Sequence, residues 1–321
     1  MKNKKAAISI RSSILAILFS ITIASGTIGC AKDDLPTKTT DSTAIDYHQT
    51  ATTQFVEAGG VKFAYRVLGK QQGTPLVVLS HLGASMDDWD PALTNGLAQH
   101  YKVILFDNKG VGSSTGTTPT TIADMANDAV TFIKALGYTK VNLLGYSMGG
   151  FITQQILLTQ PSLVNKVILS GTGPKGADGL LNLPNVIGAA AGLSAEDQFL
   201  KLGFTDSQAS IALGKQVYAR VNKRTVNRDT PVSEASTGAG LTAVLAWGQP
   251  YPNALTELKA VTQPVLIMSG ENDMLVPIAN AVNLSKAVQN GRVVIFPDAN
   301  HAALFQYADE FVKNAINFLG E

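Results

Sequence analysis

From about residue 55 onward, short runs of apolar residues alternate with longer segments whose apolar positions recur at helical spacing. That alternation predicts parallel strands joined by helical crossovers. The runs place strands over 61–68, 75–80, 101–106, 141–144, 164–170, 264–269 and 292–296, with a short first strand over 55–57. Between them, Thr121-Ile122-Ala123-Asp124 reads as a capped helix start leading into the stripe Met125, Ala129, Phe132, Ile133 and Leu136, which Gly137 closes. A folded stretch of roughly 270 residues is enough for one large α/β domain.

The run Val141-Asn142-Leu143-Leu144 passes into Gly145-Tyr146-Ser147-Met148-Gly149 and then into a helical segment over 151–159. A G-x-S-x-G turn between strand and helix holds its serine in a strained conformation, with glycines where a Cβ would strike neighbouring backbone. Ser147 is therefore a candidate nucleophile. A serine hydroxyl needs a base to take its proton and an acid to orient that base. Of the four histidines, His48 lies in a polar N-terminal stretch, His100 in a polar pair before a strand, and His81 just after one. His301 sits in a loop between the apolar strand 292–296 and a C-terminal helix, so it is the candidate base. Asp273, after the strand 264–269, is the first choice of orienting acid; Glu271 and Asp298 are its rivals.

On these motifs, in this order and spacing, the chain resembles the α/β-hydrolase superfamily over nearly all of residues 55–319. The pieces Ser80-His81-Leu82-Gly83-Ala84-Ser85 and Phe106-Asp107-Asn108-Lys109-Gly110-Val111-Gly112 are similar to those of its smaller esterase and haloperoxidase-like members. The resemblance implies an α/β-hydrolase fold: a mostly parallel eight-stranded sheet with helices on both faces, a helical cap insertion, and an active site at the carboxyl ends of the strands. The order serine, acid, histidine agrees with it. It also implies two backbone donors for a developing oxyanion, assigned to Met148 and to Leu82, with Gly83 as the alternative because this chain lacks the His-Gly pair usual there. His81 reads as an organiser of that loop, and Trp89 as a core or loop anchor.

Residues 174–252 exceed what the minimal fold needs and are too long for a structureless loop, so they are expected to form the cap. Helix starts are expected at Ser194 and at 205–208, and Leu241, Val244, Leu245 and Trp247 are candidate pocket walls together with Tyr146. Each of these also suits plain packing. The basic residues Lys215, Arg220, Lys223, Arg224 and Arg228 suggest either an anionic ligand or, more simply, a solvated helix face. The glycines after Asp107 lack the spacing and lysine of a phosphate loop, and read as a tight turn braced by Asp107.

At the amino end, Lys2, Lys4, Lys5 and Arg11 precede an apolar stretch over 14–23 and small residues up to Gly29, as in a signal peptide over 1–29. The single cysteine, Cys30, follows Thr27-Ile28-Gly29, which resembles the lipobox of bacterial lipoproteins except for Thr27 in place of leucine. Lipidation there would anchor an exported protein to a bacterial membrane, with 30–53 as a flexible tether and 54–321 as the hydrolase domain. Formal net charge is +1 for the whole chain and about −3 once the four leader cations are removed, which gives no support to nucleic-acid binding. With one cysteine no internal disulfide can form, and neither a metal-ligand cluster nor a cofactor motif is present in the sequence.

The expected activity is hydrolysis of a carboxylic ester or related acyl compound, such as a lactone, by a Ser-His-Asp triad. Carbon–carbon bond hydrolases, peptide-end hydrolases and cofactor-free perhydrolases would use the same residues, and a lipid-tethered binding protein is the non-enzymatic alternative. Haloalkane dehalogenases and epoxide hydrolases place an aspartate where this chain has Ser147, which disfavours them.

Overall fold

The computed structural model describes residues 45–70 and 72–321. Eight strands, β1 (Gln54–Ala58), β2 (Val61–Gly69), β3 (Leu76–Leu79), β4 (Lys102–Phe106), β5 (Val141–Tyr146), β6 (Val164–Ser170), β7 (Pro264–Gly270) and β8 (Asn290–Phe296), form one sheet in the order 1-2-4-3-5-6-7-8. β2 runs antiparallel to both β1 and β4, and the other neighbours are parallel.

Strands buried on both faces read as continuous apolar runs because successive side chains alternate between two cores. Val77, Leu79, Ile104, Leu143 and Val167 enter the core packed by the helices Ile122–Ala135 and Met148–Thr159. Leu76, Val78, Leu105, Leu144 and Ile168 enter the opposite core, against the helices Pro91–Ala98 and Ala308–Gly320. Fully burying each such side chain contributes roughly 1.5–3 kcal/mol. Phe132 on the first of these helices stacks on Phe106 with centroids 4.4 Å apart. Thr121 caps that helix by accepting the Asp124 N–H.

Between β6 and β7 lie the α-helices Leu183–Gly188, Ala195–Gly203, Gln208–Val221, Glu234–Trp247 and Ala254–Leu258. Ser194, Ser207 and Ser233 each cap the helix they precede by accepting the N–H of the third helical residue. This layer is fastened to the body by charged groups. Arg220 forms a two-pronged pair with the buried Asp90, at 2.8 and 2.7 Å. Arg224 is buried, donating to the carbonyls of His48 and Ala51, and Arg66 and Asp87 form an ion pair beside it. The solvated face expected for this basic run is thus replaced at Arg224 by a buried clamp, and at Arg220 by a partly exposed guanidinium holding a buried carboxylate.

The expected tether needs a second correction. A helix at Tyr47–Thr50 packs on the body, with His48 buried against Thr94 and Tyr47 and Ala51 partly buried, while Ile45, Thr50 and Thr52 are exposed. The polar composition of this segment hides the packing because the burial is supplied by Arg224 and Thr94, far away in the chain. The expected signal peptide, Cys30 and the rest of the expected tether lie outside the described residues.

Candidate active site

Strand order decides which loops meet. β3 lies between β4 and β5; the chain runs from β3 to β4 on one side and from β5 to β6 on the other, so the loops after β3 and β5 diverge and open a crevice at the carboxyl ends, where open α/β sheets bind ligands. Leu79 pairs with Gly145, and Tyr146 with Ser170, which brings the loop after β3, the turn after β5 and the end of β6 side by side.

Ser147 occupies φ 54°, ψ −117°, a region that side chains avoid. Such a kink needs bare neighbours. A Cβ at Gly145 would stand 2.5 Å from the carbonyl oxygen of Gly149, and one at Gly149 only 2.0 Å from that of Leu79. Although serine is a favoured N-cap, its hydroxyl does not cap the helix Met148–Thr159; it turns instead to His301. The Ser147 carbonyl accepts from Thr172 Oγ1 at 3.0 Å and its N–H donates to the Ser170 carbonyl at 2.9 Å, fixing the turn on both sides.

His301 Nε2 lies 2.9 Å from Ser147 Oγ, and its Nδ1 lies 2.9 Å from Asp273 Oδ2. Nδ1 therefore carries the proton toward the carboxylate, leaving Nε2 to accept from the serine. The second Asp273 oxygen accepts the N–H groups of Leu275 and Val276, at 3.0 and 2.9 Å, so the carboxylate cannot rotate away. Asp273 and His301 are buried, while Ser147 is partly open to solvent. Neither rival acid reaches the imidazole. Glu271 is exposed, and Asp298 accepts the hydroxyls of Thr205 and Ser207, holding the cap to the loop before His301. These bonds keep the Asp298 carboxyl below its usual range. Asn300 joins three segments, accepting from Met274 N–H and donating to the Phe204 carbonyl.

Met148 is the first residue of its helix, where the N–H has no carbonyl one turn back and the helix dipole is positive. Beside it, His81 Nδ1 lies 3.0 Å from the Leu82 carbonyl. Burial pushes the His81 pKa down to about 4 despite that hydrogen bond, so the ring is neutral at ordinary pH. Trp89 anchors the same loop by donating to Ser80 Oγ at 2.9 Å. Asp107 braces its turn by accepting from Met86 and Ser113 N–H. Its carboxyl is pushed upward, first by burial and then by the neighbouring Asp229.

The expected pocket residues divide. Trp247 stacks on Phe151 at 5.5 Å and, with Val244, belongs to the core that joins cap to body. Leu241 is partly buried against that core, Leu245 is half-buried, and Tyr146 packs against His301 beneath the site. A groove of about 270 Å³ lined by Asn182, Asn185, Lys201, Leu202 and Met274 adjoins the site only through Met274, next to Asp273. Among the described residues no group of three His, Cys, Asp or Glu side chains is arranged to hold a metal ion. Gly171, Thr172 and Asn300 also shape the site, although none stands out as a site residue in the sequence. Only Gly171, ending an apolar strand, carried a local signal, and the other two act through partners brought by the fold.

The model of the alpha/beta hydrolase fold family matches residues 74–307. The chain belongs to this family. A solved alpha/beta hydrolase fold protein from Chitinophaga pinensis superposes with a TM-score of 0.82 at 38% identity, covering 85% of this chain and 98% of that one. The serine hydrolase BPHL of Homo sapiens is 27% identical over 86% of this chain and 89% of its own length. A pimeloyl-(acyl-carrier protein) methyl ester esterase from Nitrosospira multiformis is 26% identical over 77% of this chain and 95% of its own. Family and relatives alike support an enzyme of the hydrolase class.

Proposed function

We propose that this hydrolase cleaves carboxylic esters or related acyl compounds, such as lactones, through an acyl-enzyme on Ser147. The observation that carries the reading is the unbroken chain Asp273, His301, Ser147, with both hydrogen bonds at 2.9 Å and the serine on a strained turn. Ser147 Oγ attacks the carbonyl carbon as its proton passes to His301 Nε2, and the carbonyl electron pair moves onto oxygen. The backbone N–H groups of Met148 and Leu82 receive that oxyanion. His301 then gives its proton to the leaving alkoxide as the carbon–oxygen bond breaks. Water, deprotonated by the same imidazole, releases the acid and returns the proton to Ser147.

Asp273 keeps the imidazole in the required tautomer and balances the charge that forms on it. The names of the human and Nitrosospira relatives, a serine hydrolase and a methyl ester esterase, favour an acyl substrate over a binding role. The test is labelling by a fluorophosphonate read by intact mass, beside turnover of an ester panel graded by acyl chain length. The wild type should gain one label, and Ser147→Ala none. Labelling that persists in Ser147→Ala, or a wild type inert to probe and panel alike, overturns the reading.

The leader over 1–29 and the lipobox-like Thr27-Ile28-Gly29-Cys30 support a further proposal, export and lipid anchoring at Cys30. Cys30→Ala should move the protein to the soluble fraction. A mature N-terminus at any other residue rejects this.

A further inference from the structure

Tyr146, the last residue of β5, presents its ring to the imidazole that faces the serine. The centroids of Tyr146 and His301 are 5.2 Å apart with 35° between planes, nearer to stacked than to edge-on. Other rings hold the tyrosine in place: His81 at 5.0 Å, Phe305 at 5.6 Å and Trp89 at 6.1 Å, all edge-on. Trp89 is itself tied to Ser80 and meets Phe305 edge-on at 6.0 Å. At the end of β6, Gly171 lies against both partners. A Cβ there would stand 3.1 Å from His301 Cε1 and Nδ1 and 3.2 Å from Tyr146 Cε2, so the two rings share one tight slot.

Any large apolar side chain would fill such a slot. The tilted ring-to-ring contact adds an electrostatic consequence. A cation within about 6 Å of an aromatic centroid is attracted by the negative ring face, more strongly when water is excluded. His301 is buried, and when the Ser147 proton arrives on Nε2 while Nδ1 keeps its own, the ring becomes an imidazolium. The groups around that cation are then Asp273 on Nδ1, Ser147 on Nε2 and Tyr146 on a face. His81, packed on the tyrosine, is neutral and sets no opposing charge there. Burial, and then the charge of Asp273, push the Tyr146 phenol well above its usual range, so it too stays neutral.

We propose that Tyr146 is a positioning residue that holds the His301 ring in line with Ser147 and stabilises its imidazolium through the face of the phenol ring. The inference rests on the serine hydrolase reading given above. It predicts a signature that simple packing lacks: weakening the ring's negative face at constant shape should make the imidazolium harder to form. The acid limb of kcat/KM then moves to lower pH while the plateau of kcat falls.

The experiment replaces Tyr146 by phenylalanine and by mono-, di- and trifluorophenylalanine, with folding checked by melting temperature, and follows hydrolysis of a short-chain nitrophenyl ester against pH. Phenylalanine should keep the acid limb within about 0.2 pH unit of wild type. The trifluoro ring should lower it by about half a unit to one unit, with kcat down about 3- to 10-fold and KM little changed. Tyr146→Leu, which removes the ring, should shift the limb the same way. An acid limb that stays put across the fluorinated series, or moves to higher pH, overturns the role of Tyr146. Fluorophosphonate labelling of the wild type checks the parent reading separately. Its absence sinks that reading, whereas a labelled enzyme with a fixed limb sinks only this inference.

Discussion

Gly240, midway along the cap helix Glu234–Trp247, rests directly on Leu82 of the loop after β3. A Cβ on the glycine would stand 2.6 Å from Leu82 Cδ1 and 3.5 Å from Met148 Sδ. The cap helix thus covers the two residues assigned to hold the oxyanion, at a point where it carries no side chain. A leucine end can swing aside for one methyl group, but not for a ring. Gly240→Ala should therefore change kcat/KM less than about 3-fold, while Gly240→Phe, which must lift the helix or displace Leu82, should lose about 100-fold, since small misplacements carry losses of that order. Steady-state kinetics on one ester decides it, and a fully active phenylalanine variant would detach the cap helix from the oxyanion site.

The Asp273 carboxylate does two separable jobs. One oxygen braces the loop through Leu275 and Val276, and the other accepts a hydrogen bond from His301 Nδ1–H. An asparagine whose oxygen stays on the two N–H groups turns its amide toward Nδ1, which forces the imidazole into the wrong tautomer. Asp273→Asn should then fold normally and lose about 10⁴-fold in kcat. Circular dichroism and a burst-phase assay check the two halves. Retained activity would point to another acid and make Glu271 or Asp298 worth reconsidering.

Much of this arrangement is legible in the chain because its determinants are local. Parallel strands buried on both faces must be continuous apolar runs, so β3, β4, β5 and β7 announce themselves within a residue or two. Gly145 and Gly149 mark the turn because a backbone that tight admits no Cβ. The three side chains that meet at the crevice could be named because few histidines compete. What stays hidden depends on partners distant in sequence. Arg224 looks like one cation of a solvated run, yet its acceptors, the carbonyls of His48 and Ala51, lie more than 170 positions away. Trp247 and Val244 sit in a helix whose apolar residues are not confined to one stripe, so no period tells which face meets the body.

At the turn carrying Ser147 the tolerance for added volume is lower still. A Cβ at Gly149 meets the Leu79 carbonyl oxygen at 2.0 Å, and that atom belongs to a central strand bonded on both sides. Overpacking against movable side chains typically costs about 1–3 kcal/mol. Here the obstacle is sheet backbone, so Gly149→Ala should lose about 3 kcal/mol or more of stability along with the fluorophosphonate label. Gly238→Ala, at a glycine of the cap helix with nothing within 4 Å, is the matched control and should be neutral or slightly stabilising. Urea unfolding midpoints measure both, and a stable, fully labelled Gly149→Ala would show that the turn is less constrained than its contacts indicate.

His48 makes the N-terminal segment sensitive to acid. Its ring is buried, with Nδ1 on Thr94 Oγ1, and burial, then the charge of Arg66, lowers its pKa from 6.5 to about 4. Between those values the unfolded chain binds a proton that the folded chain does not, so folding stability rises with pH across that window. The contribution is complete above pH 6.5 and is lost as pH falls toward 4, by roughly 3 kcal/mol at the most, on the order of 1.4 kcal/mol per pH unit. Asp107, whose raised pKa favours the folded state at low pH, acts in the opposite sense and partly offsets the loss. Replacing the imidazole by a neutral amide removes the titration but keeps a polar group for Thr94. His48→Gln should therefore be less stable than wild type at pH 7.5 yet flatter between pH 6.5 and 4.5, as read by urea unfolding at each pH. Equal slopes in the two proteins would mean that the ring is protonated in the folded state after all, and that the clamp of Arg224 on this segment tolerates a third cation.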